Sequence, residues 1–152
     1  RILMALLGGG VGGAGNPVGG SFTGASLALE YILDHCYAYS GTVLAAASNQ
    51  TLMEFTTGNK LIVGSLTCAG AIPNNGSGIA SGAVSVFTLS LNGGEVARFK
   101  TSTSGTSPDN EAHQTYPIMI PPYTEVKLIG LSSATDGYTS AILTGKTYQT
   151  RD

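Results

Sequence analysis

Chemistry needs reactive side chains brought together, and in these 152 residues the candidates are few. His35 and Cys36 are adjacent, which invites pairing a thiol nucleophile with its base. On a strand, however, neighbouring side chains point to opposite faces, so the imidazole turns away from the thiol. A packing cysteine beside a rim histidine is expected instead. His113 is the only other histidine, so zinc sites built on histidine clusters are not expected. Asp109, Asn110 and Glu111, with Asp136, are oxygen donors that suit calcium, but the Asp-x-Asp-x-Asp-Gly spacing is missing. Glu54, Glu95, Glu111 and Glu125 fall on separate elements, so no pair is singled out for glycoside hydrolysis. Asn49-Gln50-Thr51 and Asn75-Gly76-Ser77 match the glycosylation triplet, common by chance in a chain this rich in Ser, Thr and Asn. The seven tyrosines could stack on sugars. Tyr37 and Tyr39 are expected to pack in a core or interface, while Tyr116, Tyr123 and Tyr138, near loops, are the ligand-facing candidates. No catalytic residue, cofactor or metal is expected.

Composition points the same way. Charged residues make up 11% of the chain and the formal net charge is −2, against roughly 25% charged in an average domain. That charge gives no support for nucleic-acid binding, whose footprint is a basic face. With 42% hydrophobic residues the chain is not a disordered one. So poorly charged an exterior is expected to meet other protein. No stretch approaches the roughly 20 apolar residues that span a bilayer, and Ile2 to Leu7 is too short for the apolar core of a signal peptide. Cys36 and Cys68 allow a buried thiol pair or one disulfide.

The elements that must position these residues read as strands. Tyr116 to Ile129 organises the rest: Ile118 and Ile120 alternate with Met119, and Pro121-Pro122 stop the ladder. Thr124, Val126 and Leu128 then share one face. Residues 25–34 could be a strand, with a short helix as runner-up. Further strands are expected over 37–44, 51–56, 60–69, 83–91, 95–100 and 138–148. Loops are expected at 70–82 and 101–114. Asn92-Gly93 is a strong hairpin signal, because both central positions of a type I′ turn need positive φ. About eight strands with no convincing helix predict an all-β protein: an antiparallel β-sandwich, a single jelly roll, over residues 21–152.

Residues 1–20 differ from the rest. An apolar plug, residues 1–7, precedes a glycine tract over residues 8–20. Ordering each residue of that tract costs roughly 1–2 kcal/mol, and it has almost no side chains to offset the cost. Burying the plug contributes about 1.5–3 kcal/mol per side chain. An extended arm is therefore expected to lie along a neighbouring subunit. Ile2, Leu3, Met4, Leu6, Leu7, Val11, Pro17 and Val18 would make the contacts, and glycine would allow close backbone approach.

Tyr37-Ala38-Tyr39-Ser40-Gly41, Leu52 to Gly58, Leu91 to Val96, Ile118 to Val126 and Leu143 to Tyr148 together resemble small virion proteins of tailed bacteriophages. Those are single jelly-roll capsid-decoration or head-fibre proteins. The resemblance covers about residues 36–148 and excludes the arm. It implies a non-enzymatic structural subunit on the capsid surface of the virion, bound to capsid protein subunits as a homo-oligomer, with a trimer favoured. Neither nucleic acid nor membrane is an expected partner. The alternative is a sugar- or receptor-binding β-sandwich module of a virion fibre.

Overall fold

The computed structural model describes residues 29–45, 48–72, 83–102, 112–133 and 137–149. The expected arm contacts, Ile2 to Val18, and the acidic loop residues Asp109, Asn110, Glu111 and Asp136 lie outside these. The described residues form strands joined by turns, with no helix among them. In chain order the strands are β1 (Glu30–Ile32), β2 (His35–Tyr39), β3 (Val43–Leu44), β4 (Gln50–Thr56) and β5 (Lys60–Ile72). They continue as β6 (Val84–Leu91), β7 (Gly94–Ser102), β8 (Ala112–Ile120), β9 (Glu125–Ser132) and β10 (Tyr138–Gln149).

Two antiparallel sheets make a sandwich. The larger runs β1-β2-β10-β5-β8, with β3 also on β10, and the smaller runs β4-β9-β6-β7. The pairs β6·β7, β5·β8, β4·β9 and β2·β10 are nested, so the chain resembles one long hairpin whose successive pairs alternate between the sheets. Its tip is Asn92-Gly93, with φ of 50° and 77°, as a type I′ turn requires. The tip is tied to β9: Asn92 N–H donates to the Glu125 carbonyl at 2.8 Å, and Glu125 N–H donates to Asn92 Oδ1 at 2.9 Å.

Alternation along the strands fills the core. Cys36, Ala38, Ile62, Leu66, Cys68, Ile120, Ala141 and Leu143 point in from the larger sheet. Leu52, Met53, Phe55, Phe87, Leu89, Val126 and Leu128 meet them from the smaller. Leu52 and Met53 are both buried although adjacent, because the β4–β9 register shifts between Thr51 and Met53. Such a bulge turns consecutive residues to one face. Both cysteines are free and buried, which settles the open choice against a bridge.

The organising stretch is two strands with a proline corner between them, as its alternation and prolines require: β8 pairs with β5 and β9 with β4 and β6, so the corner carries the chain from one sheet to the other. Thr57 holds that corner. Its hydroxyl donates to the Pro121 carbonyl at 2.9 Å and accepts from Thr124 N–H at 2.8 Å. Two expectations need correction. Residues 37–44 are not one strand, since Gly41 has φ of 65° and breaks it. The buried Ser40 bridges the break, its hydroxyl donating to the Gly41 carbonyl at 2.6 Å and accepting from Ala141 N–H at 2.7 Å. The break also reverses the alternation, leaving Leu44 exposed and Val43 against the core. The two expected loops are shorter, because Gly70–Ile72, Thr101–Ser102 and Ala112–Gln114 belong to strands.

Candidate functional site

At one end of the sandwich four turns and the end of β10 converge. Thr147 N–H donates to the Asp34 carbonyl in the β1–β2 turn at 2.7 Å. Tyr123 N–H, in the β8–β9 corner, donates to the Gly58 carbonyl of the β4–β5 turn at 2.9 Å. The backbone of Gly58 also reaches the Tyr31 phenol; burial pushes that phenol's pKa up and the Gly58 hydrogen bond opposes the rise. This end carries five exposed apolar side chains: Leu33 (91%), Tyr123 (73%), Ile32 (60%), Tyr148 (49%) and Tyr31 (46%). Asp34 and His35, both exposed, meet at 2.8 Å between Oδ1 and Nδ1 beside Leu33.

Backbone conformation singles out two of these residues. Leu33 has φ of 57° and Tyr123 has φ of 53°. In the two-residue β1–β2 turn φ is positive at Leu33 and not at Asp34, the pattern of a type II′ turn whose first central position favours glycine. In Pro121-Pro122-Tyr123-Thr124 the proline stands before the positive-φ residue, as in a type II turn, where glycine or asparagine is preferred. Bulky residues at positive φ are true outliers, costing of order 1–3 kcal/mol each. Among the described residues the most exposed leucine and the most exposed tyrosine thus occupy positions suited to glycine, at the same end of the sandwich.

A second feature is a cleft along the open side of the sandwich, between edge strands β7 and β8. It encloses about 350 Å³ and is lined by Leu89, Leu91, Val96, Phe99, Tyr116 and Met119, among others. Phe99 and Tyr116 stack across it, ring centroids 3.8 Å apart and planes at 21°. Tyr116 donates its phenol hydrogen to Gln114 Oε1. A third feature is a shallow depression of about 400 Å³ on the outer face of the larger sheet, bordered by Tyr37, Tyr39, Ser65 and Thr144. The two tyrosine rings are 5.1 Å apart and tilted by 32°.

The three ligand-facing tyrosines expected from sequence are not brought together. Tyr123 is at the apolar end and Tyr116 faces the gap between the sheets. Tyr138 pairs with Ile72 at the other end of β5. Ile62, which pairs with Ile120 just before the corner, is ten residues from Ile72. At 3.3 Å per residue that separation is about 33 Å. Tyr37 and Tyr39 stand on an outer face rather than in the core, with Ala38 between them buried. His35 and Cys36 do turn to opposite faces, exposed and buried respectively. Among the described residues no group of three or more His, Cys, Asp or Glu could hold a metal. Leu33, Ile32 and Tyr31 gave no sequence signal as a site, because positive φ at leucine has no residue-type signature.

No known protein family and no curated protein matches this chain. Among solved structures, it is similar to the crystal structure of dimeric latent PorU from Porphyromonas gingivalis, with 15% identity and a TM-score of 0.42. The match covers 84% of this chain and 14% of that one, so this chain spans a small part of that protein's length.

Proposed function

We propose that the chain is a viral structural protein, a decoration or cement subunit on the surface of a capsid. It binds the shell through protein–protein contacts and associates with its own kind, as a trimer. The nested strand pairing supports a single jelly roll as the underlying architecture. The observation that carries the function is the apolar end, where Leu33 and Tyr123 project from strained turns. Strain kept at an exposed position brings the free domain no stability, so a contact made elsewhere is the physical reason to retain it. Apolar side chains without reactive neighbours suit adhesion, which works by excluding water from a complementary surface.

Co-sedimentation of the purified chain with capsids that lack it tests the proposal. The double variant Leu33→Asn, Tyr123→Asn should fold at least as well and bind at least about tenfold more weakly. Equal binding by the variant, or no binding by either chain, would overturn the proposal.

The outer-face depression supports a second reading, a sugar- or receptor-binding module of a virion fibre. Tyr37 and Tyr39 beside the Ser65 and Thr144 hydroxyls combine ring faces with hydrogen-bonding groups, the pairing that carbohydrate recognition uses. Glycan-array signal that survives salt and disappears in Tyr37→Ala would favour it; a blank array would remove it.

A further inference from the structure

The cleft between β7 and β8 is apolar and lies between two sheet edges. Among the described residues β7 pairs only with β6, and β8 only with β5, so each has one edge on which no described strand lies. Pro117 takes a donor away from β8, whereas β7, from Gly94 to Ser102, contains no proline and can accept a further strand. Val96 and Met119, at the cleft's rim, are 55% and 61% exposed.

We propose that this cleft receives residues 2–7 of a second copy of the chain. The inference rests on the subunit reading above and names the place where the arm docks. Residues 2–28 contain no charged side chain, so no buried charge opposes transfer into an apolar cleft, and pairing with the β7 edge would satisfy backbone groups. Ile2, Leu3, Met4, Leu6 and Leu7 are aliphatic in the manner of the lining. Six extended residues span about 20 Å, while the lining positions 96–99 and 116–119 span about 13 Å of strand, so about four residues of the segment suffice to cover the cleft.

The described chain starts at Leu29, just before β1, and β1 and β8 are the opposite edges of the larger sheet. Within one molecule the connection would have to cross the whole outer face of that sheet, about 19 Å, and then turn around its β8 edge to enter the cleft. A neighbour whose cleft adjoins the β1 edge offers a shorter path, which residues 8–28, with a root-mean-square reach of about 25 Å, span without a turn. A donor at one edge and an acceptor at the other make a head-to-tail contact, the type that forms a ring such as a trimer when the rotation between subunits closes.

Light scattering on three chains tests this: the full chain, the chain lacking residues 1–20, and the full chain carrying Val96→Lys and Met119→Lys. Both replaced side chains are exposed, so the lysine variant should keep its unfolding midpoint. Arm deletion and the lysine variant should each weaken assembly by at least about tenfold. In a mixture, a chain with Leu6→Cys should form an inter-chain disulfide with one carrying Met119→Cys. If arm deletion dissociates the assembly while the lysine variant assembles normally, the arm docks elsewhere; this inference falls and the subunit reading stands. An assembly indifferent to the arm overturns the inference, and a monomeric full chain overturns both.

Discussion

Leu33 and Cys68 illustrate opposite uses of an apolar side chain. Leu33 is held in a conformation it disfavours, in full contact with water. Replacing it with asparagine, which tolerates positive φ, should raise stability by about 1 kcal/mol, measurable as a higher urea midpoint at unchanged slope. A lower midpoint would mean that the leucine packs against its own domain. Cys68 is buried in the core, and burial pushes its thiol from an ordinary 9.0 up to about 12. Between those values the unfolded chain has released the proton and the folded chain retains it, so rising pH favours unfolding. Stability from this residue is complete below pH 9 and is lost as the pH climbs towards 12, by up to about 1.4 kcal/mol per pH unit. Urea midpoints that fall through this window in the native chain, and fall less steeply in Cys68→Ala, would bear this out. In the folded state the thiol should resist alkylation at neutral pH.

At the scale of elements, the proline corner and the β5–β10 pair are the most sensitive places. Thr57→Val keeps the shape but leaves the Thr124 N–H without its hydroxyl acceptor, and should cost about 1–3 kcal/mol by urea unfolding. Gly64→Ala should cost at least as much. A Cβ there would collide with the Thr144 carbonyl oxygen and lie 2.5 Å from Gly145 Cα. The strands themselves were legible in sequence, since Val84 to Leu91 and Thr124 to Leu128 bury alternate residues as their period requires. The Asn92-Gly93 turn was legible for the same kind of reason, a residue-type demand set by φ. Sheet membership was not: period two says which side chains share a face, not which strand lies beside them, so the separation of β8 from β9 had no signature. The bulge at Leu52-Met53 and the break at Gly41 shift alternation by one residue, and only pairing across strands reveals that. Of the candidate tyrosines, Tyr123 alone belongs to the apolar end, and the strained turn that displays it carries no glycine to announce it.

For the whole molecule, weak charge outside and a complete core inside leave association as the main outlet for the exposed apolar surface. The apolar end offers one surface for such association and the β7–β8 cleft another. Assembly of the chain with its own kind, proposed above, is tested by the solution mass of the full chain, by size-exclusion chromatography with light scattering, compared with the chain lacking residues 1–20. A defined oligomer, a trimer, that weakens or dissociates without the arm is the expected result. A monomer in both forms across the accessible concentration range would contradict it.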